Sequence, residues 1–129
     1  MDETAAMSIL QAAQAAHPLE ACGLLLGTGT RITLATVAAN VAPDPARHFE
    51  IDPAHLLHWQ RRTRTDGQRI IGCWHSHPDG SATPSAADRA GAEGLDLLWL
   101  IAAGGHLRLW RVDGPGFAPV GLVRCAPPL

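Results

Sequence analysis

Residues 69–75, RIIGCWH, are an apolar run with adjacent β-branched residues that leads directly into SHPDG, and this junction constrains the fold more than any other stretch. Such a run predicts a buried strand. Pro78 lacks the N–H that a ladder needs and ends the pairing, and Asp79-Gly80 reads as a turn. Thr83 then suits the N-cap of a helix with Pro84 at its first position, running to about Gly94. The segment therefore predicts a strand, a tight loop and a helix in close succession.

The flanking sequence supplies partners for that strand. Residues 4–16 carry Ala, Met7, Ile9 and Leu10 at helical spacings, and Pro18 stops the helix. Residues 20–26 (EACGLLL) and 31–39 (RITLATVAA) predict two strands joined by a hairpin at Gly27, Thr28 and Gly29. A Pro-containing loop at 41–48 leads to a short extended FEID. Asp52 and Pro53 then predict the N-cap and first turn of a helix reaching about Asp66. Residues 97–103, 106–112 and 117–124 predict three more strands. Trp59, Trp74, Trp99 and Trp110 fall in apolar patterns and read as core. The pattern is α/β with a mixed sheet. With 129 residues and no repeat or linker, it predicts a single domain over 1–129.

Composition narrows the partners. A formal charge of -2 and a pI near 6.3 offer no field for a polyanion, so no nucleic acid is expected. All ten basic residues are arginine, which reads as compositional bias. The opening lacks a basic n-region, and the longest apolar run, 97–103, is far below the roughly 20 residues of a bilayer span. No membrane association and a cytoplasmic location are expected. Cys22, Cys73 and Cys125 form an odd set without C-x-x-C spacing, which predicts reduced thiols acting as small core residues.

The chemistry concentrates in residues 75–88, HSHPDGSATPSAAD. Two residues apart at a strand end, His75 and His77 point to the same face and can converge on one ion. Ser85 falls in the first turn of the predicted helix and Asp88, three residues later, shares its face. Taken singly, each is an ordinary residue: a surface histidine, a first-turn serine, a solvated helix aspartate. Together, two imidazoles and a carboxylate across a short loop match a catalytic zinc site, which keeps three protein ligands and one open position. Such chemistry needs a proton carrier. Glu20, a carboxylate at the start of an apolar strand, is the candidate, because burial would raise its pKa toward the working pH.

H-S-H-P followed after six residues by S-x-x-D, with an upstream glutamate in a strand, resembles the signature of the JAMM zinc metallopeptidases, the active members of the MPN-domain family. The match covers Glu20, His75, His77, Ser85 and Asp88, and extends softly through HPLEACGLLLG, Asn40 with its Pro-rich loop, FEIDP and GCWHSHP. The resemblance implies a three-layer α/β fold related to cytidine deaminases. It also implies one Zn2+ per chain held by His75, His77 and Asp88, with Glu20 as acid/base and Ser85 as hydrogen-bond donor to the oxyanion. The implied activity is hydrolysis of peptide or isopeptide bonds at the C-terminal tail of ubiquitin or a ubiquitin-like protein. The shortness of the chain resembles bacterial and archaeal members, which points to a sulfur-carrier type partner with a Gly-Gly tail; a homodimer stays open.

Three other readings are weighed. A zinc nucleobase deaminase needs H-x-E and a downstream P-C-x-x-C, and neither is present. A DNA-repair-associated branch of similar fold shares the histidine pattern, but Glu20 in its EACG context and the acidic charge argue against it. A non-catalytic MPN-type scaffold that binds partners is the third, and such members usually lose ligands.

Overall fold

The computed structural model describes residues 1–92 and 97–126. Along the chain these form α1 (Glu3–Ala16), β1 (Cys22–Thr28), β2 (Arg31–Ala35), α2 (Pro53–Arg62), β3 (Arg69–Ser76), α3 (Ala86–Ala92), β4 (Leu98–Ala103), β5 (His106–Asp113) and β6 (Gly116–Val120). The strands make one mixed sheet in the order β2-β1-β3-β4-β5-β6, antiparallel throughout except for β3 and β4. That parallel pair requires a crossover, and α3 lies on it. β3 is thus central, as its apolar run predicts.

Alternation along β3 divides the molecule into layers. Trp74 points to one face, where it joins Ile9, Ala5 and Ala6 of α1 and Leu25, Ile32 and Leu100 of the sheet. Cys73 points to the other, against Trp99 and Ala92 of α3, with Phe49 and Phe117 packed around them. α1 therefore covers one face and α3 the other, giving three layers. Gly23 is required where the first layer is tightest: a Cβ there would lie 1.7 Å from the Thr36 carbonyl oxygen.

Several element ends differ from the sequence expectation for identifiable reasons. The hairpin turn falls at Gly29 (φ 59) and Thr30, closing on the Thr28–Arg31 pair, while Gly27 stays inside β1. β2 stops at Ala35 because the Thr36 carbonyl is taken by the Trp74 indole N–H at 2.7 Å. The Leu24 N–H is left to bond the Thr36 hydroxyl oxygen at 2.9 Å. α2 has its expected cap, with Asp52 accepting from Ala54 N–H at 3.0 Å, but it ends at Arg62 and buries no residue. Residues 63–66 are polar and offer nothing to pack, and Trp59 is half-buried, not core. A hydrogen bond of 2.8 Å between His55 Nε2 and Thr36 Oγ1 ties α2 to the sheet. Trp110 is also half-buried, and β6 ends at Val120, not at 124. Cys22 and Cys73 are buried, whereas Cys125 is partly exposed beside Asp2. The predicted helix end at Gly94 lies outside the described residues. No helix among the described residues is long and apolar enough to cross a membrane.

Candidate metal centre

The parallel pairing of β3 with β4 directs the C-terminal end of β3 toward the start of α3, and there the buried polar residues gather. Glu20, His75, His77 and Asp88 are all less than 8% exposed, an arrangement that water-stripped polar groups adopt only when they satisfy one another or a bound ion. His75 closes β3 opposite Cys22. His77 follows on the same face, so the two Nε2 atoms lie 2.9 Å apart. Asp88 reaches both, with Oδ1 3.1 Å from His75 Nε2 and Oδ2 3.0 Å from His77 Nε2.

Asp88 is held by its own helix. Its N–H donates to Ser85 Oγ at 3.0 Å, and the Ser85 N–H donates to Asp88 Oδ2 at 2.9 Å. This reciprocal pair is a capping box. It corrects the expected helix start, because Ser85, not Thr83, is the N-cap and α3 begins at Ala86. Two orphan N–H groups are satisfied at once by this choice, which a Thr83 cap with Pro84 behind it would not achieve. Ser85 is exposed, and it lines a cleft of about 430 Å³ together with Glu20, His77 and Arg47.

Hydrogen bonding fixes one histidine tautomer. His77 Nδ1 lies 2.6 Å from the Ser81 carbonyl oxygen, which can only accept, so Nδ1 carries the proton. Neutral His77 then turns an Nε2 lone pair toward a carboxylate oxygen and toward His75 Nε2. Four electron-rich atoms, the two Nε2 and the two carboxylate oxygens, with contacts of about 3 Å between the residues, repel unless a cation or proton lies among them. In a tetrahedral zinc site with bonds of roughly 2.0–2.1 Å, ligand atoms sit about 3.3 Å from one another. The observed separations of 2.9–3.1 Å are a few tenths of an ångström shorter, a difference that a small outward shift of the side chains would make up. Protons on the imidazoles can do part of this work. Burial alone would lower the pKa of His77, but the bonds to Asp88 and to the Ser81 carbonyl outweigh it and the net shift is upward. Burial likewise opposes ionisation of Asp88, yet both histidines and the Ser85 N–H hold its carboxyl far below the usual range. His75 is dominated by burial and shifts downward despite Asp88.

Glu20 faces the same two imidazoles and forms with them a second three-residue set able to hold an ion. One of its oxygens comes within 4.8 Å of a histidine nitrogen of each ring, while Oε1 is buried with no hydrogen-bond partner among the described residues. Burial pushes its carboxyl up to about 7, His77 opposes this, and Asp88 and Asp79 add to it.

Three contributors escaped the sequence reading. Phe49 stacks on His75 with centroids 4.2 Å apart, and Trp99 meets the same ring edge-on at 5.6 Å. His75 Nδ1 has no partner among the described residues, so packing and not a hydrogen bond orients this ring. The Ser81 carbonyl is invisible to sequence because any residue provides one. Asn40 carried a signal, a lone Asn before a Pro-rich loop, whose structural meaning emerges below.

A three-layer α/β fold with two histidines at a central strand end and an aspartate on the following helix defines the JAB/MPN class. The profile of the prokaryotic homologs of the JAB domain matches residues 2–113, and the chain belongs to that family. A desampylase of Haloferax volcanii is 33% identical over 88 residues, 67% of this chain and 63% of the relative, so the chain spans less than two thirds of that relative's length. The solution structure of a Desulfitobacterium hafniense protein superimposes with a TM-score of 0.86 at 26% identity, covering 98% of this chain and 94% of the other. A JAB1/MPN domain protein from Archaeoglobus fulgidus shares the fold, with a TM-score of 0.64, 20% identity and coverage of 96% and 93%.

Proposed function

We propose that this protein is a zinc-dependent isopeptidase acting at the Gly-Gly tail of a ubiquitin-like protein of the sulfur-carrier type. The observation that carries the reading is the convergence of His75 Nε2, His77 Nε2 and the Asp88 carboxylate to within 2.9–3.1 Å, beside a buried glutamate oxygen with no hydrogen-bond partner among the described residues. Similarity to desampylases supports the substrate class.

His75, His77 and Asp88 are the ligands, for which the neutral imidazoles and ionised carboxylate have the right chemistry. When bound, zinc polarises the scissile carbonyl and brings the pKa of water to roughly 7. Glu20 Oε1 accepts the proton of the attacking water and delivers it to the departing nitrogen, for which a carboxyl raised toward neutrality is suited. The ligand role is assigned to Asp88, whose oxygens lie 3.0–3.1 Å from both Nε2 atoms, and the proton-carrier role to Glu20, whose carboxyl is raised toward neutrality. The Ser85 Oγ lone pair accepts from Asp88 N–H, which leaves the hydroxyl hydrogen to donate to the developing oxyanion. Small residues at the cleft rim, among them Ala46, Pro78 and Ser81, admit an extended glycine tail whose backbone can pair with the cleft.

The test is intact-mass analysis of a ubiquitin-like protein extended beyond its Gly-Gly. Release of the extension, its abolition by 1,10-phenanthroline, and a strong fall in kcat/KM when either glycine becomes valine are expected. Equal cleavage of glycine and valine tails would refute tail selectivity.

A further inference from the structure

Glu20 lies two residues before β1, and Ser76 extends the β1–β3 contact as far as Ala21, its N–H donating to the Ala21 carbonyl at 3.0 Å and its Oγ accepting from the Ala21 N–H at 2.8 Å. The N–H and C=O of Glu20 itself are held elsewhere. The Asn40 side chain occupies the centre of the 41–50 segment: its Nδ2 donates to the Glu20 carbonyl at 2.9 Å and to the His48 carbonyl at 3.0 Å, with the Pro45 carbonyl at 3.5 Å. Its Oδ1 accepts from the N–H of Ala42 at 3.0 Å and of Glu50 at 3.1 Å. The Glu20 N–H in turn donates to the Pro45 carbonyl at 2.8 Å. Both polar groups of the Glu20 backbone therefore end on this hub, one directly and one through the loop that Asn40 folds.

The same amide flanks Phe49 on both sides, through His48 and Glu50, and Phe49 carries the ring that stacks on His75. One side chain thus sets the glutamate on one side of the centre and an aromatic wall on the other. Only a short amide offers two donors and an acceptor at this reach; aspartate lacks the donors, serine lacks the length, and glutamine overshoots.

We infer that Asn40 is a positioning residue for Glu20, acting on proton transfer and not on metal binding. The inference rests on the proposed hydrolytic function for its kinetic arm alone. A displacement of about 1 Å at a reacting group costs on the order of 100-fold in rate.

Asn40→Asp and the uncharged Asn40→Ser should each retain zinc at the wild-type stoichiometry and keep KM within about threefold while kcat falls roughly 100-fold. In a Glu20→Gln background, either substitution should add no further loss, because a residue acting through Glu20 has nothing left to position. Hydrogen exchange of the Glu20, Ala42 and Glu50 amides should quicken in the Asn40 variants, a readout independent of activity. Unchanged kcat, an additive loss on top of Glu20→Gln, or unchanged exchange at Glu20 would overturn the inference. If the wild type cleaves nothing, the functional reading fails, while the exchange experiment still decides whether Asn40 holds Glu20. If the aspartate variant does not fold, the serine variant carries every arm.

Discussion

Ser85 has two roles that can be separated. It caps α3 through the 3.0 Å bond from Asp88 N–H, and its hydroxyl faces the cleft shared with Glu20 and His77. Replacing a serine N-cap with alanine costs about 1 kcal/mol, whereas glycine costs a few tenths. For a chain of 129 residues, an unfolding entropy of about 2.1 cal/mol/K per residue makes 1 kcal/mol equivalent to roughly 4 °C in Tm. Ser85→Ala should therefore melt about 4 °C lower and Ser85→Gly about 1 °C lower. Both remove the same hydroxyl, so both should lose roughly 100-fold in kcat with KM little changed. Differential scanning calorimetry and steady-state cleavage on the same preparations make the comparison. If turnover follows stability, with Ser85→Gly close to wild type, the hydroxyl does not serve the oxyanion and Ser85 is a cap alone.

His77→Ala should abolish stoichiometric zinc binding, measured by elemental mass spectrometry of dialysed protein, because it would remove one of the three proposed ligands and leave Asp88 Oδ2 without its imidazole neighbour. A pH dependence should come from His55. Burial, then the His58 charge, lowers its pKa, and its Nε2 lies 2.8 Å from the Thr36 hydroxyl oxygen. For a base whose folded pKa is depressed, the stabilisation is fully present above the unfolded value near 6.5 and is lost as pH falls through the lower folded value. The stability gap between wild type and His55→Leu should therefore narrow from pH 7 to pH 5 in urea titrations; a constant gap would show that the ring acts through packing alone.

What was legible in the sequence divides along physical lines. β3 and the facing of His75 and His77 follow from period-two alternation, which survives any packing. The meeting of Asp88 with these rings follows from the short loop between them, whereas bringing Glu20 to the same end needs the β1–β3 pairing, which spacing alone does not contain. Thr83-Pro84 is a sound helix start by local rules, yet the reciprocal Ser85–Asp88 bonds win because they satisfy two donors. α2 is legible from its Asp52-Pro53 start, whereas Trp59, read as core from its apolar pattern, is only half-buried, and the histidine–threonine bond that ties the helix to the sheet is not displayed by sequence. Asn40 was visible as a residue but not as a hub, because its five partners are backbone groups.

In the proposed function His75, His77 and Asp88 would hold a zinc ion, and Glu20 would carry a proton from water to the departing nitrogen. The most direct test measures zinc content and cleavage of an extended Gly-Gly tail on the same samples of wild type and Glu20→Gln. Both should carry about one zinc per chain, and the variant should lose at least roughly 100-fold in turnover while wild type releases the extension. Loss of zinc in Glu20→Gln, near-normal turnover in that variant, or cleavage by zinc-free wild type would contradict it.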